Sequence, residues 1–173
     1  MKNYKAIFST FILCFIFWIL YTYSGGKVDS EEVVAGIIVS FIVALFSSKF
    51  FIREDAFWLF NFKRLGSLIA FIPIYFVELF KANLDVALRA LSPKVNINPG
   101  IVKIETELKS DYGLSMLANC ITLTPGTITM DIVEQKNKCY MYIHWIDVKD
   151  KNIEAASDKI KGNFEPWVRR IFR

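Results

Sequence analysis

Eighteen consecutive residues near the start of the chain, Ala6 to Tyr23 (AIFSTFILCFIFWILYTY), carry no charge. A helix needs about 20 apolar residues to cross a hydrocarbon core of about 30 Å. The run therefore predicts a membrane helix, and everything downstream must be compatible with a bilayer. Trp18, Tyr21 and Tyr23 cluster toward its end, where an aromatic belt meets the interface. A cleaved signal peptide would have a shorter apolar core and a small-residue cleavage site. YTYSGG offers no such site, so the expectation is a retained helix.

A polar turn, SGGKVDSEE, punctuated by Gly25 and Gly26, leads to a second apolar run from Val33 to Phe46, extending to Lys49. Gly36, Ser40 and Ala44 recur every four residues, a small-residue stripe that lets another helix approach closely. Runs one and two predict a helical hairpin. A third run, LGSLIAFIPIYFV, lies between Lys63-Arg64 and Glu78. Its thirteen uncharged residues give about 20 Å of helix, short of a full span. Pro73 predicts a kink. Beyond it, Glu78, Lys81, Asp85 and Arg89 form a ladder of alternating sign on one face. Phe80, Leu84, Ala87, Leu88 and Leu91 line another face, and Ser92-Pro93 ends the helix. An acid at the edge of a membrane segment is a candidate for an interface or an ion path; a solvated ladder is the plainer reading.

Lys2 and Lys5 place the N-terminus on the cytoplasmic side, and Lys49, Arg53, Lys63 and Arg64 place the second loop there too. The expectation is two full spans and a shallow third helix, which keeps the rest of the chain cytoplasmic. The organisation expected is thus 1–93 membrane helices and 94–173 a water-facing domain.

The second part reads as a small β-α-β-β-α domain. Asn98-Pro99-Gly100 predicts a turn. Val102, Ile104, Thr106 and Leu108 alternate with Lys103, Glu105 and Glu107, as in a half-buried strand. Ser110 or Asp111 caps a helix with Leu114, Leu117, Ala118 and Ile121 on its apolar face. Pro125-Gly126 turns the chain. TITMDIV and CYMYIHWI, joined by EQKNK, suit an antiparallel hairpin. After Asp150, a helical spacing runs from Ile153 to Ile171, with Pro166 expected to bend or interrupt it.

The net charge of +4 is spread over both halves, without the basic stripe that nucleic acid would require. Cys14, Cys120 and Cys139 read as small buried hydrophobes. A zinc site would need all three and the lone His144, and Cys14 lies in an apolar run. Phosphate-loop, zinc-hydrolase and nucleophile-elbow motifs are missing. No catalytic, metal or cofactor residues are expected.

Ala118 to Asp131 (ANCITLTPGTITMD), with Tyr142 to Asp147 (YIHWID) downstream, resembles the E-type subunits of Mrp-type multisubunit Na+/H+ antiporters. Asn98 to Val102 and Thr106 to Leu108 are similar to the same family. Its core is Leu123-Thr124-Pro125-Gly126-Thr127, a helix end and tight turn leading into a threonine-rich strand. The resemblance implies an accessory membrane subunit in a complex exchanging Na+ for protons. Its partners would be large antiporter-like subunits and the lipid bilayer, its location the plasma membrane, with the domain cytoplasmic. Related subunits occur in energy-converting membrane-bound hydrogenases, so an equivalent role there is the alternative. A stand-alone oligomeric carrier would have only Glu78 and Asp85 as obvious path residues.

Overall fold

The computed structural model describes residues 2–23, 27–51, 60–94, 97–149 and 152–172; Gly25, Gly26, Arg53 and Asp150 fall outside them. The chain divides into two compact units, Met1–Asn61 and Phe62–Arg173.

The first unit is an antiparallel pair of helices, α1 (Lys2–Thr22) and α2 (Ser30–Phe51). Both are long and apolar enough to cross a membrane. The expected small stripe is the contact surface: Gly36, Ser40 and Ala44 are all buried, and Ser48 extends the series by one more turn. Ala6 and Ser9 of α1 are buried as well. Trp18 lies across α2, donating its Nε1–H to the Glu32 carbonyl at 2.9 Å. In lipid, helices gain little from hydrophobic burial, so close approach over small residues supplies the adhesion.

The second unit begins with α3 (Phe62–Ala90), a helix of 29 residues with Pro73 inside it. There follow β1 (Gly100–Thr106), α4 (Asp111–Leu123), β2 (Thr127–Gln135), β3 (Lys138–Trp145), α5 (Ile153–Lys161) and α6 (Phe164–Ile171). The sheet is antiparallel with order β1-β3-β2. Strand alternation buries Val102 and Ile104 from β1 and Met141 and Ile143 from β3. They meet Leu117 and Ile121 of α4 and Val168 and Ile171 of α6 in one core. Lys136 and Asn137, both with positive φ, make the two-residue hairpin turn whose twist matches the flanking strands. The β1 edge is covered by α5. There the Ser157 hydroxyl accepts from Glu105 N–H at 3.0 Å, and Lys161 Nζ donates to the Glu105 carbonyl at 2.9 Å.

Two expectations need adjustment. The final helix is two, and the break falls at Gly162 (φ +37) and Asn163 rather than at Pro166. Pro166 sits in the first turn of α6, where a missing N–H has no intrahelical partner to lose. Asn98-Pro99-Gly100 is no turn. Asn98 pairs with Asp147, receiving Val148 N–H at 2.8 Å and giving its own N–H to Ile146 at 3.1 Å. In the compact units, α3 groups with the domain.

Candidate functional site

Two sets of residues that stand apart in the sequence meet in the second unit. Glu78, Asp85 and Arg89 of α3, together with Thr124 to Thr127, line one polar pocket of about 210 Å³. Lys81, the remaining member of the ladder, pairs with Glu78 at 2.9 Å but stays 63% exposed outside the lining.

The turn is built from hydroxyls. A helix leaves its last four carbonyls without intrahelical partners. At the end of α4, the Ile121 carbonyl accepts from Thr124 Oγ1 and Thr127 Oγ1, each at 2.7 Å. Thr129 Oγ1 donates to the Ala118 carbonyl at 3.2 Å, while Thr122 Oγ1 accepts from Thr129 N–H at 3.1 Å. The threonines therefore stitch a helix end to the start of β2. Gly126 has φ +94 and gives its carbonyl to Ile146 N–H at 2.8 Å. A Cβ there would lie 2.9 Å from Ile146 Cγ2. Gly126→Ala is therefore expected to cost about 2 kcal/mol, from the left-handed backbone and the crowding of Ile146. Thermal unfolding of the full chain in mild detergent measures it, and an unchanged midpoint would show that the turn relaxes freely.

The ladder is more than a solvated face. Arg89 bonds Asp85 within the helix (Nε to Oδ2, 2.8 Å) and also reaches Asp147 after β3 at 2.9 Å. The Arg89 and Asp147 side chains are each 18% exposed. Glu78 accepts from Asn163 Nδ2 at 3.2 Å as well as from Lys81. Lys149 stands 4.0 Å from Asp147, and Lys159 and Lys161 complete the cationic side. Each carboxylate that lines the pocket thus lies beside a cation. The Arg89–Asp147 and Glu78–Asn163 contacts tie α3 to the rest of the second unit. Asp147 and Asn163 carried no sequence signal for this role, since each partner is remote in the chain.

Among the described residues, no three His, Cys, Asp or Glu side chains are grouped to hold a metal. Burial pushes the Cys120 thiol up to about 11, so it stays protonated and packs as a hydrophobe. His144 lies on the sheet face away from the helices, between Ile101 and Ile128 in the register.

A family model described as Na+/H+ ion antiporter subunit matches residues 11–171. The chain is 43% identical over 156 residues to the E-type Na+/H+ antiporter subunit of Alkalihalophilus pseudofirmus strain OF4, covering 90% of this chain and 91% of that one. It is 37% identical over 140 residues to the Bacillus subtilis strain 168 protein of the same name, covering 81% and 83%. Among solved structures, it is similar to a chain of the membrane-bound sulfane sulfur reductase, an archaeal respiratory membrane complex. There the identity is 44%, the TM-score 0.78 and the coverage 97% and 99%.

Proposed function

We infer the role of this chain from its family: it belongs to the E-type subunits of Na+/H+ antiporters. It is an accessory membrane subunit of a multisubunit Na+/H+ antiporter, working with the other membrane subunits of that complex. The observation that carries this is likeness along nearly the whole chain, hairpin and domain together, to relatives of the same length. The chain contributes packing and assembly and has no catalytic centre of its own, in keeping with relatives that are transport subunits. The pocket at Glu78, Asp85, Arg89 and Thr124–Thr127 fastens the domain to α3 and carries no ions. The pairing of every lining carboxylate with a cation supports this.

The domain faces the cytoplasm. The concentration of Lys49, Arg53, Lys63 and Arg64 from the end of α2 to the start of α3 supports that orientation.

Affinity purification of the chain from its native membrane, followed by mass spectrometry, tests the assignment. Large antiporter-like subunits should accompany it. Redox subunits with metal clusters among them would move it into a respiratory assembly of the kind its structural relative belongs to. Recovery of the chain alone would overturn the accessory role.

A further inference from the structure

Val102, Ile104, Met141 and Ile143 of the sheet point into the core, so alternation sends their neighbours to the outer face. An antiparallel sheet with one face in water usually turns polar residues outward. Here the polar residues share that face with bulky apolar ones. Ile101, His144 and Ile128 form one row across the strands, and Ile101 and Ile128 are 58% and 54% exposed. Lys103, Tyr142 and Asp131 form the next row, and Glu105, Tyr140 and Val133 the third. Met130, in the bulge of β2 between the first two rows, is 59% exposed. Aromatic residues and Met are enriched where proteins meet.

Two charges on this face have no counter-charge. Lys103 Nζ lies 3.8 Å from the centre of the Tyr140 ring and 3.4 Å from Gln135 Oε1. Asp131 Oδ1 accepts from Ile132 N–H at 2.8 Å. Among the described residues neither is in an ion pair, whereas Glu105 meets Lys138 at 2.7 Å. Lys103 and Asp131 flank Tyr142 in the register, two strand spacings or about 10 Å apart. An anionic lipid surface selects basic faces and would be repelled by Asp131 and Glu105. A protein segment with an acid and a base about 10 Å apart, on either side of an apolar centre, matches both charges.

The edges of the sheet are poor places to add a strand. The β1 edge is covered by α5. On β2, Thr129 N–H is taken by Thr122 Oγ1 and Ile132 N–H by Asp131, which blunts that edge. The face itself is small. Three strands about 4.8 Å apart, each seven residues of about 3.3 Å, give roughly 330 Å². A stable free-standing interface takes about 800 Å² from each partner. The face is therefore too small to hold a second copy or a freely diffusing protein. It suffices for a partner already held nearby in one assembly, because tethering makes the contact intramolecular.

We propose that the outer face of the sheet seats a water-exposed segment of a neighbouring subunit. Apolar side chains of that segment cover Ile101, Ile128 and Tyr142, an acid meets Lys103 and a base meets Asp131. This rests on the accessory-subunit reading above and names the part of the domain that meets the assembly.

The test uses the full chain in its native membrane, with Ile128→p-benzoylphenylalanine as a photocrosslinking position. Irradiation should join the chain to another subunit of the complex, identified by mass spectrometry. Adding Lys103→Glu, which sets like charges together, should lower the adduct yield about fivefold, with the melting midpoint of the full chain in mild detergent unchanged. An equal yield with and without Lys103→Glu would mean that no acid faces Lys103, and overturns the proposed partner chemistry. An adduct with lipid, or with a second copy of this chain, overturns the proposal. Antiporter-like subunits that co-purify without any adduct overturn it too, and leave the accessory reading standing. Recovery of the chain alone overturns both.

Discussion

Replacing Glu165 with alanine is expected to destabilise the domain by about 3 kcal/mol, the cost of stranding the partners of a buried charge. That is a large part of the roughly 5–15 kcal/mol that holds a typical domain together. Glu165 is 7% exposed in the first turn of α6. One oxygen accepts from Thr106 Oγ1 at 2.5 Å and from Glu107 N–H at 2.7 Å. The other meets Lys161 Nζ at 2.6 Å. One carboxylate therefore ties α6 and α5 to the end of β1. Truncation takes the carboxylate acceptor from a hydroxyl and a backbone N–H, and leaves the Lys161 ammonium with the Glu105 carbonyl but without its counter-charge.

The same network sets a pH dependence. Burial is the largest single influence on Glu165 and pushes its carboxyl up. The bonds from Lys161, Thr106 and Glu107 N–H together outweigh it, and the carboxyl titrates below its usual range. A carboxyl lowered in the folded state adds stability that is fully present above its unfolded value and is lost as pH falls through the folded one. Wild-type chain in mild detergent should therefore lose stability on acidification below the ordinary carboxylate range. Glu165→Gln, which keeps the shape and one acceptor, should start less stable and show a shallower acid loss. Unfolding followed by tryptophan fluorescence across that range measures both. An undiminished acid loss in Glu165→Gln would assign the titration to another group.

What could be read in advance was local and periodic. The alternation from Val102 to Leu108 names the face that β1 buries, and Pro125-Gly126 marks the turn that φ +94 at Gly126 requires. The four-residue spacing from Gly36 to Ala44 names the hairpin contact. The tie between α3 and the domain was illegible because a Glu78–Lys81 and Asp85–Arg89 ladder has the same pattern whether it faces water or a domain. Asp147, brought back by β3, and Asn163, between α5 and α6, make the difference. The break between α5 and α6 was misplaced for a related reason. The apolar spacing from Ile153 to Ile171 runs through Gly162 without interruption, and Pro166 is the more conspicuous helix breaker. A proline in a first turn is harmless, whereas a glycine at positive φ ends the helix. In both cases the sequence shows the residue types, and the tertiary partner decides what they do.

Gly36→Leu is expected to separate the hairpin helices, at a cost of about 3 kcal/mol from overpacking and a lost hydrogen bond. A Cβ at Gly36 would lie 2.4 Å from Trp18 Cδ1 and 2.8 Å from its Nε1. The indole cannot yield by a small rotation, because Nε1–H is bonded to the Glu32 carbonyl one turn earlier on α2. A side chain at position 36 must push the ring off α2 and leave that N–H in apolar surroundings. Outside water, no hydrophobic gain offsets the loss of close approach. Gly36→Ala should be milder than Gly36→Leu but still destabilising, since its Cβ already meets the ring. Removing the ring should make room. Trp18→Ala alone is expected to weaken the hairpin, and Gly36→Leu added to it should cost clearly less than in the wild-type chain. Melting of the four proteins in mild detergent gives this cycle. A cost for Gly36→Leu that is the same with and without Trp18 would mean that the glycine does not make room for the indole.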